Sequence, residues 1–238
     1  MVNGKPEGFH KDLLVDLKDY VKNKGFDVKQ DVLPWTGLLA SVSSGQYDIA
    51  FTATLVTEDR LRIFNFSPPF ASAQHFYVKR ADDDRLSDVA SLCDKTVGVQ
   101  AGSALLSRLP ELKIMMAEAN CNMGEVVEYP SYSEAYADLA NGRLDYVVNA
   151  LIAINDLVKT RGDTFAKGIA VSGAGFAAWP VTKKSPELLK LLTEFMNHIR
   201  DNGRLAELQT KWFGETFPDL PTTPITSVAQ FHELAGIQ

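Results

Sequence analysis

The first candidate for binding chemistry is Arg60, which closes the polar turn Thr57–Arg60. This turn follows a short apolar stretch, Tyr47–Phe51, whose pattern predicts a buried strand. A polar loop after a strand is typical of the binding crevices of open α/β sheets. A planar guanidinium makes two parallel hydrogen bonds to a carboxylate, so Arg60 suits an anionic group. The alternative is a solvated arginine that pairs with Glu58 or Asp59 for little energy.

Further candidates flank two predicted helices. Trp35 begins an amphipathic pattern that ends near Gly45, and it is either a ligand wall or a core tryptophan. Gln100 and Ser103 lie in a Gly-containing turn between a predicted strand and helix, where backbone N–H groups suit an anion. The histidines lack metal-ligand spacing, and no serine or cysteine lies in a nucleophile elbow, so no metal, cofactor or catalytic residue is expected.

The predicted elements that would position these residues alternate between helices and strands. The pattern opens with a helix at Lys11–Lys24 and a strand at Phe26–Leu33. A second series from Asp82 has strands at 96–100, 125–129 and 144–149, and helices at 101–119, 131–141 and 150–160. An extended stretch at 169–181 precedes a long helix with Ser185 as N-cap. This alternation predicts an α/β fold with a parallel or mixed sheet.

Composition restricts the classes of partner. The chain has 238 residues, 45% of them hydrophobic and 23% charged, as in ordinary globular proteins. The net charge of −6 comes without a basic stripe, so nucleic acid and anionic membrane are not expected partners. No apolar run approaches the roughly 20 residues of a membrane span. The opening residues lack the layout of a signal peptide.

The run from Trp35 to Phe70, WTGLLASVSSGQYDIAFTATLVTEDRLRIFNFSPPF, resembles the signature of bacterial extracytoplasmic solute-binding proteins of family 3, the polar amino-acid type. The matching anchors are an aromatic-x-G-L-L start, a G-x-Y-D segment, the T-x-x-R turn and the F-S-x-P-F end. The stretch Gly4–Phe9 resembles the family's G-K-x-x-G-F motif. The resemblance implies a soluble protein outside the cytoplasm, in the periplasm or an equivalent compartment.

The resemblance also implies the fold, a two-lobed type II periplasmic-binding-protein architecture with two hinge-strand crossovers. Lobe 1 is expected at residues 1–75 plus 180–238, and lobe 2 at 80–175. The hinges are expected near 76–79 and 176–179, and ligand is expected to close them. The family's first N-terminal strand is absent from this sequence, which is expected to leave a neighbouring strand unpaired.

The ligand site implied by the resemblance combines residues from both lobes: Trp35, Ala53, Leu55, Arg60, Gln100, Ser103, Asn149 and Ala150. Two of these positions depart from the family pattern. Leu55 stands where the family has Ser or Thr, and Ala150 stands where an aspartate would pair with the ligand's ammonium group. Asn149 is the nearest polar residue to that missing acid.

These observations predict a monomeric solute-binding protein that delivers a small, carboxylate-bearing ligand to the permease of an ABC importer. It is expected to bind ordinary α-amino acids poorly, because the ammonium group lacks acceptors. One alternative is a sensory or other non-transport module with a degenerate site. Another is an enzyme resembling cyclohexadienyl dehydratase, which Ala150 disfavours because a dehydratase needs an acid in its crevice.

Cys93 and Cys121 lack metal-site spacing. They are either two buried thiols or a disulfide. Each precedes a predicted strand of one βαβ unit, and the strand entrances of such a unit share a sheet edge, so the thiols can approach each other. Export to an oxidising compartment, as the resemblance implies, favours the bridge.

Overall fold

A computed structural model of the chain describes residues 8–22 and 24–235. The part of the predicted motif at residues 4–7 lies outside that range. The helices are α1 (Phe9–Lys22), α2 (Leu38–Ser43), α3 (Glu58–Ile63), α4 (Ala104–Ser107), α5 (Leu109–Glu118), α6 (Tyr132–Ala140), α7 (Leu151–Arg161), α8 (Pro186–Asp201), α9 (Arg204–Phe213) and α10 (Val228–Ala235). The strands are β1 (Thr54–Leu55), β2 (Phe64–Phe66), β3 (Ala71–Ser72), β4 (His75–Arg80), β5 (Val97–Gln100), β6 (Val126–Tyr129), β7 (Tyr146–Ala150), β8 (Phe165–Ala170), β9 (Phe176–Ala178) and β10 (Pro180–Thr182).

The chain divides into two compact units. The first contains the described residues up to Ala71 together with Phe176–Leu234, and the second contains Ser72–Gly175. Residues 76–79, where a hinge is predicted, lie within β4, which is hydrogen bonded to β7 and β8 in the second unit. Residues 176–179 begin the return segment of the first unit.

The first unit is built from short antiparallel ladders covered by helices. Strand β1 pairs with β9, and β2 pairs with β10. Aromatic side chains fill the interior beside these ladders. Trp179 is completely buried and stacks on Phe51 with ring centroids 4.3 Å apart, while Phe9 packs against Phe70 and Phe213. Helix α1 buries its apolar face here, as its helical spacing of leucines predicts.

Two strands predicted for the first unit are not formed. The stretch Tyr47–Phe51 contributes only an isolated bridge between Ile49 and Val181. The stretch Phe26–Leu33 has neither helix nor strand, and Phe26 is 60% exposed. A strand exists only when a neighbour completes its hydrogen-bond ladder, and none of the described residues does so here.

The second unit is a five-stranded mixed sheet in the order β6–β5–β7–β4–β8. Strand β5 is parallel to β6 and β7, whereas β4 is antiparallel to β7 and β8. Helices α6 and α7 pack on the sheet, and Val78, Val147 and Ile154 belong to the shared core. The predicted strands at 96–100, 125–129 and 144–149 therefore correspond closely to observed strands.

The predicted helix at 101–119 is divided into α4 and α5 at Arg108. Pro110 is the physical reason, because proline has no N–H and is tolerated only in the first turn of a helix. It therefore stands near the start of α5 instead of inside one long helix. Ser185 does precede α8 as predicted, but its side chain makes no capping hydrogen bond to the helix.

Cys93 and Cys121 are close together in the second unit. Cys93 follows a single 3-10 turn at Ala90–Leu92, and Cys121 follows the end of α5. Their Cα atoms are 5.8 Å apart and their sulfur atoms are bonded. A separation of this size is within the usual range for disulfides.

Candidate functional site

The clearest binding feature of the first unit is Arg60 in the first turn of α3. Thr57 is the N-cap of this helix, and its hydroxyl accepts a hydrogen bond from the Arg60 N–H at 3.3 Å. The guanidinium Nη1 donates to the Leu55 carbonyl at 2.7 Å. These two contacts hold the backbone and the side chain of Arg60 in place against β1.

The acids next to Arg60 in sequence pair with other residues. Glu58 lies 2.8 Å from His232 Nε2, and Asp59 lies 3.9 Å from Arg62. Within the described residues no carboxylate forms an ion pair with Arg60, so the solvated-pair alternative does not apply. Burial lowers the pKa of Arg60 to about 10, which leaves it charged at neutral pH. A desolvated cation without a carboxylate partner favours binding of an anion.

Trp35 lies beside this guanidinium. The Arg60 Cζ atom is 5.3 Å from the Trp35 ring centroid, within range for a cation–π contact. The indole is half-buried and lines a cavity of about 340 Å³ in the first unit. Trp35 is therefore not the fully buried core residue of the alternative interpretation. Ala53 and Leu55, in the stretch before α3, are also half-buried.

The backbone carbonyl of Leu55 already accepts a hydrogen bond from Arg60 Nη1. Its side chain offers no acceptor. The neighbouring Thr54 is completely buried, and its hydroxyl has no hydrogen-bond partner within the described residues. Side chains alternate along a strand, so Thr54 is directed away from the side that Leu55 occupies.

In the second unit, Gln100 ends β5 and Ser103 is the N-cap of α4. The Gln100 amide donates from Nε2 to the Pro130 carbonyl at 3.1 Å. Ser103 is 9% exposed, and its hydroxyl accepts the Leu106 N–H at 3.3 Å as an N-cap. Gly102 between them has φ of +65°, a backbone conformation that glycine adopts without strain.

Asn149 and Ala150 lie at the end of β7, and both are nearly buried. The Asn149 Nδ2 group donates to the Tyr136 hydroxyl at 2.7 Å. Its Oδ1 atom accepts the Ala150 N–H at 2.8 Å. Both ends of the Asn149 amide therefore already have a partner within this unit, and the side chain of Ala150 carries no polar atom to replace the expected acid.

Two tyrosines that sequence reasoning missed belong to this cluster. The rings of Tyr132 and Tyr136 stack with centroids 5.8 Å apart. Burial raises the pKa of both phenols, for Tyr136 to about 12 against an opposing hydrogen bond from Asn149. The Tyr132 hydroxyl is buried and close to Ser103. The signal was available: both tyrosines lie one helical turn apart, directly after a predicted strand.

His75 lies opposite Ala150 in the register of β4 and β7. It is 1% exposed, and its Nε2 atom has no hydrogen-bond partner within the described residues. Burial, and then the nearby Arg108 charge, lowers the pKa of His75 to about 3, so its imidazole is neutral. Arg108 itself donates to the carbonyls of Gly173 and Ala174 at 3.2 and 3.1 Å.

These α/β units have the fold of type II periplasmic binding proteins, a class of solute-binding protein. The chain belongs to the bacterial extracellular solute-binding proteins of family 3, whose sequence profile matches residues 1–215. Of the helices described, none has both the length and the apolar character needed to cross a membrane.

Named relatives and solved structures are similar over most of the chain. The L-cystine-binding protein TcyJ of Escherichia coli is 27% identical over 217 residues, covering 89% of this chain and 76% of that protein. The arginine-binding extracellular protein ArtP of Bacillus subtilis is 23% identical over 197 residues, covering 82% and 74%. A mutant of ArgBP from T. maritima is 25% identical with a TM-score of 0.73, covering 90% and 89%. AbpA of Streptococcus pneumoniae, an amino acid ABC transporter substrate-binding protein bound to L-arginine, is 23% identical with a TM-score of 0.72, covering 90% and 87%.

Proposed function

We propose that this protein captures a small polar ligand outside the cytoplasm and delivers it to the permease of an ABC importer. The observation that carries the proposal is Arg60, a desolvated guanidinium without a carboxylate partner within the described residues. Such a group gains most from a ligand carboxylate or a similar anion. Trp35, 5.3 Å from the guanidinium, would stack on the body of the ligand.

The preferred ligand in this proposal has an anionic group and a neutral body. An α-amino acid also brings an ammonium group, and a desolvated site must pair both charges. Leu55 and Ala150 supply no side-chain acceptor, and the Asn149 Oδ1 atom already accepts the Ala150 N–H, which leaves it one further, uncharged lone pair. An ammonium left unpaired costs about 2–5 kcal/mol, or roughly 30-fold to several-thousand-fold in affinity.

The names of similar proteins favour a second candidate, a binder of ordinary amino acids. TcyJ is named for L-cystine and ArtP for arginine. In this chain the buried Tyr132 hydroxyl, which lies close to Ser103, would then be the candidate acceptor for an ammonium group. The two candidates differ in whether any of the common amino acids binds with micromolar affinity or better.

Calorimetry with the common amino acids, small carboxylates and opines separates these candidates. We expect carboxylates with neutral bodies to bind, and amino acids to bind at least ten-fold more weakly. Arg60→Met should abolish carboxylate binding, whereas Arg62→Met removes an equal charge from the same helix and should leave it intact. Equal affinities of these two variants would refute the role of Arg60. Micromolar binding of an amino acid would favour the second candidate.

A gain-of-function variant tests the two departures from the family pattern. Ala150→Asp combined with Leu55→Thr supplies the missing acceptors and should improve amino-acid binding relative to the parent chain. Ala150→Asn with Leu55→Val is the matched control, since it changes similar volumes without adding an acid or a hydroxyl. If both pairs behave alike, Leu55 and Ala150 do not determine the ligand class.

Under this proposal the protein is not an enzyme. A dehydratase would need a proton donor near the ligand, and Ala150 provides none. A degenerate module without a ligand is the remaining alternative. It predicts a folded protein with no saturable binding to any compound of the panel, and the Arg60 variant would then be indistinguishable from the parent chain.

A further inference from the structure

Helix α10 packs against the strands that hold the Arg60 side chain. Phe231 of α10 is 4% exposed, and its ring meets the Phe176 ring edge-on with centroids 6.3 Å apart. Phe176 is the first residue of β9, and its carbonyl accepts the Val56 N–H at 2.9 Å. Strand β9 also pairs with β1, whose Leu55 carbonyl accepts the hydrogen bond from Arg60. Helix α10 therefore supports the strand pair to which the Arg60 guanidinium is bonded.

A second contact joins α10 to α3 itself. His232 Nε2 lies 2.8 Å from Glu58 Oε1, and Glu58 is the first residue of α3. A carboxylate only accepts hydrogen bonds, so the imidazole Nε2–H is the donor. The side chains of His232 and Glu58 are 32% and 48% exposed, so solvent partly screens their interaction. Because Arg60 lies two residues after Glu58, a displacement of the start of α3 would also displace the guanidinium.

The start of α10 is fixed by its own contacts. The Ser227 hydroxyl accepts the Gln230 N–H at 3.2 Å, and the Gln230 side chain accepts the Thr226 N–H at 2.9 Å. This reciprocal pattern is similar to a capping box, which stabilises the first turn of a helix. Just before it, Ile225 and Phe66 exchange two backbone hydrogen bonds of 2.9 and 3.1 Å, which anchor the segment to β2. A helix this short is marginal alone, so these contacts are what keep α10 in place.

Helix α10 lies after residue 215, where the match to the family profile ends, so the profile gives no account of its role. We propose that His232 is a positioning residue, which holds α3 through Glu58 so that the Arg60 guanidinium stays where it would bind the ligand anion. This inference rests on the proposed function in that Arg60 is taken as the anion-binding group. His232 acts through Glu58 and need not touch the ligand.

Chemical modification of Arg60 tests this role without a ligand. Phenylglyoxal condenses with guanidinium groups, and peptide mass spectrometry gives separate rates for Arg60 and Arg62. Arg60 is half-buried and hydrogen bonded to Leu55, whereas Arg62 is exposed and serves as the internal reference. His232→Ala should raise the Arg60 rate about two- to five-fold, as expected for loss of an exposed ion pair. An Arg60 rate equal to that of the parent chain would refute the positioning role.

Three further variants separate the contact between His232 and Glu58 from a general loosening of α10. Glu233→Ala, at an exposed position of the same helix, should leave the Arg60 rate unchanged. His232→Gln keeps an N–H donor and should retain the parent rate. In a Glu58→Ala background, His232→Ala should have no further effect, because its partner is already absent. Equal effects of His232→Ala in both backgrounds would overturn the proposal, as would a His232→Gln variant that behaves like His232→Ala.

Calorimetry with phenylacetate, a carboxylate with a neutral aromatic body, connects the position of Arg60 to binding. The affinity should fall about two- to five-fold in His232→Ala and stay at the parent value in His232→Gln and Glu233→Ala. An unchanged affinity in His232→Ala would show that the contact does not position Arg60 for an anion. If the parent chain binds no carboxylate at all, the proposed function fails, while the modification rates still decide whether His232 holds Arg60 in place.

Discussion

The buried His75 should make the folded state sensitive to mild acid. Its imidazole is 1% exposed in β4, and burial followed by the Arg108 charge lowers its pKa to about 3. In the unfolded chain the group titrates near 6.5. Between pH 6.5 and 3 the unfolded state binds a proton at His75 and the folded state does not. The contribution of neutral His75 to the free energy of unfolding is therefore complete above pH 6.5 and is lost as the pH falls towards 3.

The size of this effect follows from the two pKa values. Each pH unit between them corresponds to about 1.4 kcal/mol, so the lower end of the interval corresponds to a loss of at most about 5 kcal/mol. His10 in the first unit adds to it, because burial lowers its pKa to about 4. The ionised Asp83 carboxylate, whose pKa is depressed by hydrogen bonds from Arg85, contributes fully above its ordinary pKa of 3.8, and this contribution is lost only at lower pH. The pH range in which the histidines reduce stability therefore lies above the range in which Asp83 does.

Urea unfolding at pH 7.5, 6.5, 5.5 and 4.5 measures this dependence. All three tryptophans, Trp35, Trp179 and Trp212, lie in the first unit, so their fluorescence follows that unit while far-UV circular dichroism follows both. The free energy of unfolding of the second unit should fall by about 1 kcal/mol per pH unit below 6.5. His75→Gln should flatten this slope, and the exposed His198→Gln should leave it unchanged. An unchanged slope in His75→Gln would refute the reasoning.

Three further predictions concern stability and the positioning of Arg60. The disulfide between Cys93 and Cys121 should leave no titratable thiol in unreduced, denatured protein, and reduction should cost about 3 kcal/mol in urea unfolding; two free thiols would contradict this. Gly168→Ala should lower the melting temperature, because the new Cβ would lie 2.1 Å from the Tyr77 ring, and its overpacking typically costs about 1–3 kcal/mol. Thr57→Ala should cost about 1 kcal/mol and weaken anion binding through α3, while Thr57→Ser should retain both; equal affinities would argue against the cap.

The regular parts of the second unit were predictable because local pattern and tertiary context agree there. The run Val97–Gln100 is an interior strand that is mostly apolar, and Pro110 explains the break between α4 and α5. The segment Phe26–Leu33 was not predictable in the same way, since its pattern fits a strand but a strand requires a neighbour. Propensity alone carries no information about that neighbour.

The candidate site was partly predictable. The type and spacing of Thr57 and Arg60 predicted a polar turn that presents a guanidinium, whereas the structure has a helix there with Thr57 as its N-cap. The hydrogen bonding of the Asn149 side chain could not be predicted from the sequence, because its partner Tyr136 lies on a different element. Whether a polar side chain is available to a ligand depends on contacts across the fold, which linear spacing does not encode.

The bond between Cys93 and Cys121 closes a covalent ring with a sequence separation of 28. That ring contains β5, Gln100, Ser103 and both helices that follow. A protease that cuts inside it, for example after the exposed Lys113, would leave the two pieces tethered in the oxidised protein. Electrophoresis without reductant would then show an intact band, and nicked molecules would separate only after reduction. In an oxidising compartment, a cut in this part of the chain would therefore not release a fragment.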